Sequence, residues 1–274
     1  MSLTSQKLRI KYIDQYHLLP KIYDASSMYV RSTDSERAIK SADSLLLGLY
    51  PLMTRTSLTQ KIPIHVVSKT EDNLLIVKPS RNIFYLINRY IKNRDSWKKN
   101  TIHIKDKLSA WSKSTGLPLN NSQQLDILAD NLYIRQLHHL PLPIGISNND
   151  ADEIISLSDS AIINDFKLKE VTSPTGQAFL KTVANYLKLV IQHKTPIKYV
   201  LLMGHDSSIM SVMNTLQVPL EKIPEYASRL NFSLVENNNH SYISISYNDK
   251  RLYIPACMGS TCTISQFEKI LGNK

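Results

Sequence analysis

The chain has 274 residues, of which 42% are hydrophobic and 20% charged, and it is long enough to bury a full core. No apolar run reaches the roughly 18 residues that span a membrane, and the opening residues lack a signal peptide's apolar stretch. As written, the chain would therefore stay in the cytoplasm. The net charge of +10 favours anionic partners, but Lys and Arg are scattered. A solvated basic surface explains the charge without nucleic-acid binding.

The amino-terminal part predicts a helix, a strand and a second helix. Apolar and aromatic residues recur near helical spacing over residues 6–19. The strand Met28–Val30 leads into Arg31, and a helix capped by Ser32 or Thr33 follows. A guanidinium at the carboxyl end of a strand, facing helix amino termini, is the usual geometry of a phosphate clamp. A surface salt bridge is the alternative interpretation of Arg31.

The middle of the chain predicts a helical insertion. After a short strand over residues 62–67, no convincing strand occurs from residue 72 to residue 165. We therefore expect an α/β core formed by residues 1–71 and 166–274, interrupted by a helical cap at 72–165. The paired histidines of this cap lack a carboxylate or cysteine at ligand spacing, so no metal site is expected. Helical patterns in the cap cover residues 81–92, 104–115 and 122–138.

The second strand-to-helix junction lies at residues 198–216. Tyr199–Met203 predicts a buried strand, and apolar spacing from Ile209 predicts a helix face. Gly204, His205 and Asp206 lie between them, at the edge where open α/β folds bind ligands. His205 and Asp206 could donate a hydrogen bond and a proton to an anion there. Alternatively, Asp206 only caps the helix and His205 packs under a loop.

The sequence after the cap predicts the remaining helices and strands of the α/β core. A helix from Pro174 to Gln192, capped by Thr172 or Ser173, leads into the second junction. Strands over residues 230–235, 242–247 and 251–254 and a helix over 265–271 then end the chain.

Two cysteines, Cys257 and Cys262, lie five positions apart in this last part of the chain. They are too few for a zinc site. The short loop between them could close a disulfide, or they could remain two reduced thiols.

Several segments, in the same order, resemble the histidine acid phosphatases, the branch of the histidine phosphatase superfamily that includes prostatic, lysosomal and bacterial acid phosphatases. The resemblance implies a phosphoglycerate-mutase-like mixed sheet flanked by helices, with an α-helical cap. It also implies hydrolysis of phosphate monoesters at acidic pH through a phosphohistidine, without a cofactor. The matching segments are YVRSTDSERAIKSADSLLLGLYP, STGLPLNNSQQLDILADNLYIRQLHHLPLP, MGHDSSIMSVMNTL, EYASRLNFSLV and IPACMGSTCTISQF.

The resemblance assigns roles to three side chains. Arg31 would hold phosphate, His205 would donate a hydrogen bond to it, and Asp206 would protonate the leaving oxygen. The ligand would be a phosphate monoester or inorganic phosphate. The physiological substrate and the oligomeric state stay open, a dimer being one option.

One part of the family pattern is not found. The nucleophile of the family lies in an Arg-His-Gly motif on the first core strand, whereas none of the eight histidines here is followed by glycine. We therefore expect a truncated, inactive phosphatase that lacks this strand, with a gap in the sheet between the strands of Arg31 and His205. The alternatives are a pseudophosphatase that binds phosphorylated ligands without turnover and, more remotely, a basic polyanion-binding protein.

Overall fold

The computed structural model shows a mixed α/β fold divided into two compact units. The description covers residues 2–55, 61–77, 101–237 and 240–272. One unit comprises Met1–Lys78, Val171–Leu220 and Pro224–Lys274, and the other comprises Pro79–Glu170 and Glu221–Ile223. None of the helices in these described ranges is long and apolar enough to cross a membrane.

The amino-terminal helix differs from the predicted one at both ends. Helix α1 spans Ser2–Arg9 and continues as a π-helical segment, Ile10–Gln15. In this wider turn the backbone N–H of Tyr16 donates to the Lys11 carbonyl, five residues back, at 2.9 Å. Tyr12 stays buried, but Tyr16 is 64% exposed. Tyr16 is one of the aromatic residues that recur near helical spacing over residues 6–19, but the π turn changes the direction in which it points and leaves it exposed.

Three parallel strands form one sheet of the first unit. They are β1 (Met28–Thr33), β2 (His65–Val67) and β3 (Tyr199–Met203), in the order β2-β1-β3. β1 and β3 pair directly over five residue pairs, from Met28 with Tyr199 to Ser32 with Met203. The expected gap between these two strands is therefore wrong, because each strand satisfies the hydrogen bonds of the other.

Helix α2 spans Glu36–Leu49 and follows β1 directly. Its N-cap is Ser35, not Ser32 or Thr33, because those two residues still belong to the strand. The apolar face of α2 packs into the core that also contains Met28 and Val30. Its buried residues are Ala38, Ala42, Leu45, Leu46 and Leu49.

The second unit has its own core between helices. Helices α3 (Lys105–Thr115), α4 (Ser122–Leu137) and α5 (Asn148–Phe166) surround Trp111, whose indole N–H donates to Asp150 at 2.9 Å. The predicted helix at 81–92 lies outside the described residues. The buried apolar residues of this core include Leu125, Leu128, Leu132 and Ile154.

Helix α6 spans Lys169–Ile191 and begins earlier than predicted. It runs through Pro174, although a proline usually marks a helix end. Thr172 was predicted as a cap but lies inside the helix, where its buried hydroxyl accepts a 2.6 Å bond from the Asn214 side chain. Gly176 of α6 lies against helix α7, Asp206–Thr215.

An antiparallel sheet completes the first unit. Its strands are β4 (Leu230–Asn237), β5 (His240–Tyr247), β6 (Lys250–Arg251) and β7 (Thr261–Thr263), with β5 pairing all three others. The last predicted strand is too long, because the chain leaves the ladder after Arg251. Helix α8, Ile264–Ile270, follows β7 and packs Phe267 into the core. A disulfide joins Cys257 and Cys262, whose Cα atoms are 5.2 Å apart.

Candidate functional site

The candidate site lies at the carboxyl ends of β1, β2 and β3. All three strands run in the same direction, so the residues that follow them meet at one edge of the sheet. Arg31 lies on β1, paired in register with His65 of β2 and Leu202 of β3. His205 and Asp206 follow β3 and begin helix α7. The strand order places Arg31 on the strand next to β3, which His205 and Asp206 follow.

A tight turn holds His205 at the start of α7. The His205 backbone N–H donates to the Ser208 hydroxyl at 3.0 Å, and that hydroxyl donates to the Leu75 carbonyl at 2.5 Å. A Cβ on Gly204 would lie only 2.8 Å from the Ser208 oxygen. Glycine therefore allows the close approach that fixes the loop, and the serine links it to the segment after β2.

Arg31 has a buried partner that the sequence did not reveal. Its Nη2 donates to Oδ1 of Asp72 at 2.6 Å, and the Asp72 side chain is 0% exposed. Two backbone N–H groups, of Leu74 and Leu75, donate to the same oxygen, each at 3.0 Å. In the sequence Asp72 marked only the start of the insertion, because a single carboxylate 41 positions from Arg31 carries no local pattern. Arg31 does form a salt bridge, as the alternative interpretation expected. The bridge is not on the surface, however, because the Asp72 side chain is fully buried.

His205 is the titratable group at the centre of the site. Its Nε2 lies 3.2 Å from the Thr33 hydroxyl, which belongs to the neighbouring strand. Burial is the main cause that lowers the pKa of His205, and the nearby Arg37 and Lys69 add to the effect. The negative charges of Asp206 and Asp72 act in the opposite direction. The imidazole is therefore biased toward its neutral form until a further negative charge arrives.

Asp206 is exposed and turned toward its own helix. Its Oδ1 accepts a 2.6 Å bond from the backbone N–H of Ser207, and in the described part of the chain it has no hydrogen bond to Arg31 or His205. An exposed carboxylate at the edge of an anion site is accessible to a ligand oxygen. The alternative in which Asp206 caps the helix is wrong, because the N-cap of α7 is His205 and Asp206 is the first residue inside the helix.

Nothing in the described residues forms a metal centre, since no three His, Cys, Asp or Glu side chains cluster there. The positive groups around the edge are Arg31, Arg37 and Lys69, and two of them affect the pKa of His205. This combination, with the amino terminus of α7, suits an oxyanion ligand.

The comparisons with known proteins agree with the fold and the motifs. Residues 4–139 match the family model of the histidine phosphatase superfamily (branch 2). The chain belongs to this family.

Acid phosphatases are among the proteins whose sequences are similar to this chain. Human prostatic acid phosphatase is 25% identical over 93% of this chain and 70% of its own length. Lysosomal acid phosphatase of Xenopus laevis is 24% identical over 97% of this chain and 65% of its own length. The chain thus spans about two thirds of the length of these relatives.

Bacterial phytases share the fold. The phytase of Klebsiella sp. ASR1 superposes with a TM-score of 0.71 at 14% identity, covering 99% of this chain and 81% of the phytase. The phytase of Citrobacter braakii gives a TM-score of 0.65 at 13% identity, covering 99% and 86%. At this identity the likeness concerns the fold alone.

Proposed function

We propose that this chain carries the phosphate-binding site of a histidine acid phosphatase and binds phosphate monoesters or inorganic phosphate. The observation that carries the proposal is the pairing of β1 with β3, which brings Arg31 next to the His205 junction. The names of its acid phosphatase relatives point to the same class of ligand.

Each side chain has a chemical role in this proposal. Arg31 binds the anion through the N–H groups that Asp72 leaves free, because a guanidinium has five donors. His205 donates a hydrogen bond to a phosphate oxygen once it is protonated. Asp206, accessible at the edge, would protonate the oxygen of the leaving alcohol only where a nucleophile were supplied.

These 274 residues do not offer the nucleophile that the family uses. Phosphoryl transfer through a covalent intermediate needs an activated nucleophile in line with phosphorus at about 3 Å. His65 faces Arg31 in register, but its ring stacks on Tyr29 with 4.8 Å between ring centroids. We therefore propose binding without turnover for this chain by itself, which corresponds to a truncated phosphatase or a pseudophosphatase.

Turnover and binding test the proposal together. Purified chain should hydrolyse an aryl phosphate near pH 5 no faster than background, because removing a nucleophile costs several orders of magnitude. It should still bind phosphate in the roughly millimolar range, and Arg31→Ala should abolish binding, since hydrogen bonds to charged groups contribute about 1.5–3 kcal/mol each. Phosphate release is measured colorimetrically and binding by calorimetry.

Three results would contradict the proposal. Hydrolysis that survives purification and disappears in Asp206→Asn would show a substitute nucleophile, with His17 and His65 as the next variants to examine. Phosphate binding that is unchanged in Arg31→Ala would place the site elsewhere. Steeply salt-dependent binding to any nucleic-acid duplex would favour a polyanion-binding protein.

A further inference from the structure

Asp72 is a buried carboxylate in which one oxygen accepts hydrogen bonds and the other accepts none from the described residues. Oδ1 accepts three hydrogen bonds, from Arg31 Nη2 and from the backbone of Leu74 and Leu75. Oδ2 is buried and has no partner among the described residues, and neither has Nε of Arg31. The contact between the two groups is thus a single-point ion pair inside the protein.

The geometry of this pair keeps the carboxylate in place. The Asp72 side chain is 0% exposed, and the two backbone N–H groups fix Oδ1 within its own turn. A buried carboxylate without a cationic partner is costly, so release of Arg31 into solvent is opposed. The Arg31 side chain, 18% exposed, therefore keeps one orientation with no ligand bound.

We propose that Asp72 is a positioning residue for anion binding, which holds the Arg31 guanidinium with its free N–H groups directed at the phosphate site. This inference rests on the proposed function, because it concerns the same ligand. A side chain that is already ordered loses little rotamer freedom when the ligand binds. The smaller entropic cost of binding increases the affinity.

The negative charge of Asp72 and its positioning of Arg31 have opposite effects on phosphate affinity. This difference makes the proposal testable. A negative charge beside the site repels an anion, so a carboxylate that served only to neutralise Arg31 would weaken phosphate binding. Asp72→Asn keeps the shape and one acceptor oxygen but removes the charge. A purely electrostatic role predicts tighter phosphate binding in this variant, and a positioning role predicts weaker binding.

The experiment measures inorganic phosphate affinity by calorimetry in the full chain. We expect Asp72→Asn to bind severalfold more weakly than wild type and Asp72→Ala about tenfold more weakly or worse. Asp34→Asn is the matched control, because it removes an exposed carboxylate close in sequence to Arg31. It should change the affinity less than twofold.

A double-mutant cycle separates positioning from general damage to the fold. Arg31→Lys keeps a positive charge but loses the planar fork, so Asp72 has less to orient. In the Arg31→Lys background, Asp72→Asn should alter phosphate affinity less than twofold. An equal loss in both backgrounds, or tighter binding by Asp72→Asn than by wild type, would overturn the proposal. If wild type itself binds no phosphate, the proposed function fails first.

A measurement on wild type covers the case in which the Asp72 variants do not fold. Nitrogen-15 NMR of arginine side chains should show slowly exchanging Nη2 protons for Arg31 without ligand, assigned by their loss in Arg31→Lys. A freely rotating, averaged signal would show that Asp72 does not hold the guanidinium.

Discussion

We expect His205 to couple anion binding to the uptake of a proton. Burial, Arg37 and Lys69 lower its pKa in the empty site, whereas a bound anion would raise it. At a pH between the pKa of His205 in the empty site and its pKa in the occupied site, His205 takes up a proton when the anion binds. Affinity should therefore rise as the pH falls through the pKa of the occupied site, and level off below the lowered pKa of the empty site.

Sulfate is the appropriate probe for this prediction, because its charge is constant over this range whereas phosphate titrates near pH 6–7. Titrations between pH 8 and pH 5 should show tighter sulfate binding at lower pH in wild type. The matched variant, His205→Gln, keeps a hydrogen-bond donor but cannot titrate. A pH dependence that persists in His205→Gln would assign the proton to another group.

The contact between α6 and α7 depends on one glycine, Gly176. A Cβ on Gly176 would lie 2.6 Å from the backbone oxygen of Ser211 and 2.0 Å from the Thr215 hydroxyl. Gly176→Ala should therefore push the helices apart and lower the free energy of unfolding by about 1–3 kcal/mol. α7 begins at the site, so phosphate affinity should fall as well.

Gly259→Ala is the control for this prediction. A Cβ there meets nothing closer than 3.9 Å, and the position has no positive φ. Urea denaturation of both variants gives the comparison. Equal stability of Gly176→Ala and Gly259→Ala would show that the helices separate at little cost.

Local sequence patterns predicted the positions of helices and strands better than they predicted which strands and side chains contact each other. The strand Tyr199–Met203 was placed with the observed bounds, because a short apolar run followed by glycine leaves little freedom. The pairing of β1 with β3 could not be predicted, because strand order depends on contacts between residues far apart in sequence. The Arg31–Asp72 pair was missed for the same reason, and the shift at Tyr16 arises from a π turn that helical spacing does not signal.

β3 is a terminal strand of the parallel sheet, and we expect an added strand to pair along its edge. Within the described ranges β3 pairs with β1 alone, and the antiparallel strands form a separate sheet. Tyr12 lies between the two, with its ring centroid 5.2 Å from that of Tyr199 and its hydroxyl 3.2 Å from Asn231. If β1 and β3 stay paired, we expect an added Arg-His-Gly strand to lie beside β3 and not between β1 and β3.

A fusion experiment tests this placement. The Arg-His-Gly segment of an acid phosphatase relative, fused ahead of Met1, should pair along β3 and raise the melting temperature by several degrees, as added pairing and burial do in a domain of this size. It should also give phosphatase activity at acidic pH. Calorimetry and an aryl phosphate assay measure the two effects.

The matched control is the same fusion with its histidine changed to alanine, which should keep the added stability and lose the activity. A stable fusion that binds phosphate but never hydrolyses it would favour a pseudophosphatase over a truncated enzyme.

The edge of β3 that pairs with no described strand also affects how this protein behaves in concentrated solution. Tyr199–Met203 contains no charged residue and no proline, the two features that most often prevent edge strands of different molecules from pairing. The net charge of +10 keeps molecules apart at low ionic strength, but added salt screens that repulsion. We therefore expect the unpaired edge of β3 to contribute to association of the chain when salt is added.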